Sequence, residues 1–150
     1  MKNGGPSGLA GAQREAVQQV SLFKEMLPGG CPVDEARNLP EQVVVRLVSR
    51  EALDATDFAS HAALGKSRPD EICPCKWSSC SVFGGRKGLQ TAIDMVALPR
   101  YRKRFSHLAH LQIDGRSGLG VVNDKSGHID LWMFSSFDPV SAVVRCEQVT

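Results

Sequence analysis

The chain has 150 residues, 42% of them hydrophobic and 23% charged, with a formal net charge of +2. Those proportions describe one ordinary globular domain, and a chain of this size buries roughly 68–70% of its unfolded surface without needing a metal or disulfide. No apolar run approaches the ~20 residues of a membrane helix. No basic-then-apolar leader opens the chain, and an odd cysteine count of five argues for reduced thiols in a cytoplasmic protein.

Residues 1–11 are rich in Gly, Pro, Ser and Asn and read as a disordered lead-in. Residues 12–41 follow as a helix and linker. Val17, Val20, Phe23 and Leu27 recur at three- and four-residue spacings, which predicts an amphipathic helix over 12–27, stopped by Pro28-Gly29-Gly30. That helix packs on the domain or serves a protein partner. The linker runs from Cys31 to Glu41 and carries Pro32 and Pro40. Residues 42–150 form the domain proper. The β-branched run Val43-Val44-Val45-Arg46-Leu47-Val48 predicts a strand buried on both faces.

A helix is expected from Asp54, with Asp54 as N-cap and Gly65 as its end. Ser78 to Phe83 reads as a second strand. Gly84-Gly85 turns the chain into a helix over Lys87–Leu98, with Leu89, Ile93, Val96 and Ala97 on its buried face, ended by Pro99. Four strands follow, at 108–114, 118–123, 128–134 and 143–149, and Asn123-Asp124-Lys125-Ser126-Gly127 makes a hairpin of the middle two. The order implies one α+β domain: a mixed, mainly antiparallel sheet with about three helices.

Five constellations bear on function. Arg46 sits among apolar neighbours in a strand, and a guanidinium there needs an ion pair, a route to water or an anionic ligand. His128, Asp130 and Trp132 alternate along one strand and share a face, which lines a pocket for a planar ligand or meets solvent. Gly84-Gly85-Arg86-Lys87-Gly88 places two cations at a helix start, a setting that suits phosphate or simply turns the chain. Arg100-Tyr101-Arg102-Lys103-Arg104 interleaves cations with an aromatic, as nucleic-acid surfaces do, yet no recognised nucleic-acid motif accompanies it. From Arg86 to Arg116 the chain carries seven Lys/Arg against Asp94 and Asp114, so the rest sums to −3.

The fifth is the sulfur-rich stretch Cys73-Pro74-Cys75-Lys76-Trp77-Ser78-Ser79-Cys80-Ser81. His61, Cys73, Cys75 and Cys80 offer four soft ligands, but a single residue between the first two cysteines makes a poor zinc knuckle. No cofactor is expected, and zinc is the only metal these residues suggest. Cys80 or Cys75 beside His61, His107, His110 or His128 would form a thiol nucleophile, without a local signature to join them.

Arg46 on an early strand, Ser78-Ser79-Cys80-Ser81 on a later one, and a β-rich end together resemble the ADP-ribosyltransferase-like enzymes across residues 42–149. The resemblance implies that Arg46 holds dinucleotide phosphate and that the serine strand braces the nicotinamide half. It also implies a late catalytic glutamate; here Asp130 and Glu147 are the only acidic residues on the last two strands. The leading expectation is a binding or interaction domain for an anionic small ligand or a protein partner, with a ligand site formed by Arg46, Trp77, Ser79, Ser81, Arg86, His128, Asp130 and Trp132. An enzyme acting on a dinucleotide is the alternative, and nucleic-acid binding through residues 100–104 comes third.

Overall fold

A computed structural model describes residues 22–149. The expected lead-in and residues 12–21 of the expected first helix lie outside the described residues. The described chain runs β1 (Arg37–Asn38), β2 (Gln42–Val48), a 3-10 turn (Ala55–Phe58), α1 (Pro74–Trp77), β3 (Cys80–Gly84), α2 (Gly85–Ala97), α3 (Pro99–Arg102), β4 (His107–Ile113), β5 (Gly118–Val122), β6 (His128–Met133), α4 (Pro139–Ala142) and β7 (Val143–Gln148). The strands form one sheet in the order β1-β5-β6-β3-β2-β4-β7. The fold is α+β, as the element order implied. Every strand pair is antiparallel rather than mixed.

The long hydrophobic run of β2 is explained by its central place. Val44, Val45, Leu47 and Val48 are all buried, on alternate faces. One face stacks Val44, Val82, Leu111, Ile129 and Leu131, each at most 1% exposed. The opposite face carries Val45, Leu47, Phe83 and Leu108 beneath α2. Farther along that second face, Phe23, Cys75 and Trp132 make a third cluster.

The segment expected to end a helix at Leu27 leaves helical geometry at Phe23. That residue forms a β-bridge with Phe134 and is buried, so its apolar spacing serves a sheet edge. Glu25 reaches back to accept from the Ser60 amide at 2.9 Å and hydroxyl at 2.5 Å. The expected helix after Asp54 shrinks to the single 3-10 turn. Asp54 does cap it, with Asp57 completing the capping box, but nothing extends the turn to Gly65.

Helix α2 docks through Gly88, Ala92 and Val96. Leu89 and Ile93, expected on the buried face, are 38% and 42% exposed. Small residues win because the helix lies close to the strand before it: a Cβ on Gly88 would stand 2.8 Å from the Phe83 carbonyl carbon. The hairpin tip joins the same contact. Gly127, at φ +74°, brings its backbone against Gly88, where a Cβ would meet the Gly88 nitrogen at 2.3 Å. Its carbonyl accepts from the Gly84 amide at 2.8 Å, and Lys87 Nζ donates to the Asp124 carbonyl at 3.2 Å. The β5–β6 hairpin thus packs against Gly84 and Gly88, while Gly85, Arg86 and Lys87 between them stay exposed.

The expectation of reduced thiols is corrected at one pair. Cys31 and Cys75, 44 positions apart, form a disulfide, while Cys73, Cys80 and Cys146 are free. The loop after Pro28 folds back over Trp132 and brings Cys31 to α1, a meeting that spacing along the chain does not reveal. Among the described residues no helix is long and apolar enough to cross a membrane.

Cross-linking over such a loop restricts the unfolded chain by roughly 4 kcal/mol in the loop-entropy account, and measured effects run about 2–4. Urea unfolding of Cys31→Ser is expected to show a loss of about 2–4 kcal/mol, reproduced in the native chain by reductant. Replacing the exposed free thiol, Cys73→Ser, should change stability by less than about 0.5 kcal/mol. Equal stability of oxidised and reduced protein would rule out a role for this bond.

Candidate functional site

Strands β2 and β3 pair only at Val44 with Gly84 and Val45 with Phe83. By contrast β2 pairs with β4 through seven positions. Past Val45 the two central strands part, and Arg46 reaches into the gap. Its Nη1 donates to the Ser81 carbonyl of β3 at 2.7 Å, and its Nε donates to the Asp57 carbonyl at 2.7 Å. A longer bond from Nη2 to the Ala59 carbonyl measures 3.4 Å. The parted backbone leaves carbonyls without ladder partners, and a planar fork with five N–H donors satisfies them. Among the described residues no carboxylate forms an ion pair with this guanidinium.

A cleft of about 420 Å³ opens at the parting. Arg46, Ser79, Ser81 and His128 all line it, with Lys66 and Arg104 on its walls. Among the described residues, the only carboxylate on those walls belongs to Asp57. That carboxylate is engaged by Arg50 at 3.1 Å and by the Asp54 amide at 2.8 Å. Positive charge therefore stands in excess. His61, also on the wall, registers this: burial holds its pKa below the ordinary value, and Lys66, Arg46 and Arg104 press it down further. Trp77 lies behind His61, the rings stacked 4.5 Å apart, and its Nε1 donates to the Lys66 carbonyl at 3.0 Å.

Neighbouring strands β3 and β6 bring three polar side chains together. His128 Nε2 lies 3.0 Å from Ser81 Oγ. His128 Nδ1 lies 3.9 Å from Asp130 Oδ1, and the same carboxylate oxygen accepts from Ser79 Oγ at 3.2 Å. Burial lowers the His128 pKa, with Lys76 acting the same way, while Asp130 opposes both. The imidazole stands edge-on to Phe83, 5.3 Å between ring centres.

Four of the residues expected at the site do not line the cleft, and Trp77 is one of them, standing behind His61. Trp132 shares the face of His128 and Asp130, as alternation requires, but is 1% exposed. Its Nε1 donates to the Cys75 carbonyl at 3.0 Å beneath the disulfide. It edges a separate hollow of about 240 Å³ rather than the charged cleft. Arg86 is exposed at the glycine turn and does not line the cleft. Asp130 stands behind Ser79 and His128 without lining the wall.

The suggested zinc set does not assemble. Cys75 is held in the disulfide, Cys73 is exposed and Cys80 is buried. Among the described residues no group of three or more His, Cys, Asp or Glu is placed to hold a metal. Cys80 also makes a poor nucleophile, since burial pushes its thiol pKa up.

Sequence reasoning missed Lys66 and His61 as parts of a cationic wall. Lys66 lies in an irregular loop, where no periodicity marks it. Arg104 carried a signal, the basic run, but pointed toward nucleic acid. In the folded chain Arg104 stacks over Phe105, 5.1 Å from its centre, and both line the cleft with Tyr101. Glu147, one of the two late acidic residues, is paired with Arg145 on β7 and is absent from the cleft.

Removing the Arg46 fork strands the Ser81 and Asp57 carbonyls, each bonded to a charged donor worth about 1.5–3 kcal/mol. Arg46→Met is expected to cost at least about 2 kcal/mol in urea unfolding. Arg46→Lys should recover only part of that loss, because an ammonium cannot span both carbonyls as a fork does. A loss below about 0.5 kcal/mol for Arg46→Met would mean the guanidinium does not brace the parted strands.

Comparison with family models, with curated proteins and with solved structures finds no match for this chain.

Proposed function

We propose that the protein binds a small anionic ligand, of the phosphorylated or nucleotide-like class, in the cleft between β2 and β3. One observation carries the reading: Arg46, Lys66 and Arg104 converge on a 420 Å³ hollow whose one carboxylate is already engaged. A cleft lined by one sign of charge concentrates ligands of the other sign. Its size suits a small molecule. His61, backed by the stacked ring of Trp77, adds an imidazole to the wall beside the cations. The Cys31–Cys75 disulfide favours an oxidising compartment over the cytoplasm as the place where this binding occurs.

A dinucleotide-cleaving enzyme of the ADP-ribosyltransferase-like kind is the second reading. It draws on Arg46 and Ser79 facing one cleft. It is weaker because neither late acidic residue lines that cleft. Binding without turnover accounts for the same residues without the missing carboxylate. Nucleic-acid binding through residues 100–104 is weaker again, because Tyr101 and Arg104, the aromatic and a cation of that run, line the small-molecule-sized cleft.

Calorimetry with ADP-ribose is the test. Binding is expected, and Lys66→Ala and Arg104→Ala should each weaken it about tenfold, ~1.4 kcal/mol, with the melting temperature little changed. Binding should also tighten as pH falls from about 8 to about 5. The sign follows from His61: burial first and the neighbouring cations second hold its pKa down, an anion favours its protonated form, and linkage then couples ligand binding to proton uptake. The bridged phosphates of ADP-ribose stay ionised over that range, so the ligand contributes no trend of its own. No binding of ADP-ribose or pyrophosphate at millimolar concentration would refute the reading. Release of nicotinamide from NAD would favour the second reading instead, and a single-stranded oligonucleotide bound with a steep salt dependence would favour the third.

A further inference from the structure

We propose that Ser81, His128 and Asp130 form a nucleophilic relay, and that the cleft hydrolyses an ester whose acyl or alcohol part carries an anionic group. Ser81 is the nucleophile, His128 the general base and Asp130 a positioning residue. The substrate class rests on the anionic-ligand reading above; the relay does not.

The geometry has the order that activates a serine. Ser81 Oγ lies 3.0 Å from His128 Nε2, and Asp130 Oδ1 lies 3.9 Å from Nδ1, on the other side of the ring. A carboxylate on that side favours the tautomer with its proton on Nδ1, which leaves Nε2 free to accept the Ser81 hydroxyl proton. The placement follows from register. Ser81 pairs with Asp130, and Phe83 with His128, so all three polar groups project from one face of two adjacent strands. The Asp130 carboxylate lies 3.2 Å from Ser79 Oγ, whose single proton it shares with the Lys76 carbonyl at 2.8 Å, and the imidazole is placed by the edge contact with Phe83. Both Ser81 and His128 line the cleft, and the His128 side chain is 32% exposed. A base must be unprotonated to act, and burial favours the neutral imidazole.

In the reaction, Ser81 Oγ attacks the acyl carbon while its proton passes to His128 Nε2. The bond from that carbon to the alcohol oxygen then breaks, and the alcohol leaves with the proton from Nε2. Water attacks the acyl–Ser81 ester next, giving a proton to Nε2. Ser81 Oγ departs and recovers that proton, and a carboxylic acid is released. Arg46 also lines the cleft, with its Nη1 on the Ser81 carbonyl, and brings positive charge to the side of the nucleophile.

The test is labelling with a fluorophosphonate. Ser81 Oγ bonds to phosphorus, the P–F bond breaks, fluoride leaves and His128 takes the proton, so no natural substrate need be known. The intact protein should gain one adduct, mapped to Ser81 by peptide mass, and Ser81→Ala should gain none. His128→Gln should label at least about a hundredfold more slowly. The labelling rate should rise with pH and level off, and Asp130→Asn should move the midpoint to lower pH, because Asp130 raises the His128 pKa. A merely structural Asp130 would leave the midpoint in place. Melting curves establish that each variant is folded, and the mapped site on the native chain decides the question if a variant is not. No adduct on folded native protein, or undiminished labelling of His128→Gln, overturns the relay. Pyrophosphate should slow labelling. If it binds while no adduct forms, the relay falls and the anion site stands; if labelling proceeds with pyrophosphate unbound, the substrate class falls and the relay stands.

Discussion

The guanidinium of Arg46 holds together the two halves of a sheet that would otherwise be open at its centre. β2 and β3 share two residue pairs, and beyond them the backbone groups of each strand face a gap. A buried carbonyl without a donor is costly, and water alone would leave the two edges free to move apart. Arg46 supplies charged donors to Ser81 on one side and to Asp57 on the covering loop on the other. The brace and the cleft are one feature, since the same divergence that strands the carbonyls also opens the hollow. A cation placed there for structural reasons becomes the floor of a site whose wall carboxylate, Asp57, is already engaged by Arg50 and the Asp54 amide.

Charge around that floor is arranged by exclusion as much as by attraction. Asp57 is drawn toward Arg50 and the Asp54 amide, and Glu25 is bound to Ser60. Asp130 is engaged with Ser79 behind the wall. Each acidic group near the cleft is thus occupied by a nearer partner. Lys66 and Arg104 come from separate loops, so the positive field depends on how those loops fold over the parted strands.

The far half of the same sheet face is sealed. Trp132 continues the row begun by His128 and Asp130, but the loop pinned by Cys31–Cys75 covers it. One strand therefore passes from a polar, open end to a dry, closed one. Period-two alternation predicts which side chains share a face and says nothing about what lies over them. The same limit explains α2, where the apolar pattern at Leu89 and Ile93 was misleading because Gly88 lets the helix approach more closely through its small residues.

The positions of the six longer strands, the antiparallel hairpin at Asn123–Gly127 and the α+β class were determined by local pattern: β-branched runs, turn residues and alternation act over a few residues and leave a direct trace in the chain, whereas the two-residue β1, inside the expected linker, left none. The unusual setting of Arg46 was legible for the same reason, as a cation inside an apolar strand. What only the tertiary structure decided was long-range. The parting of β2 from β3, the meeting of Lys66 and Arg104 with Arg46, the Ser81–His128 contact across 47 positions and the Cys31–Cys75 bond across 44 all depend on which segments cover which face. That choice is set by the summed packing of the whole domain, and no short window of sequence contains it.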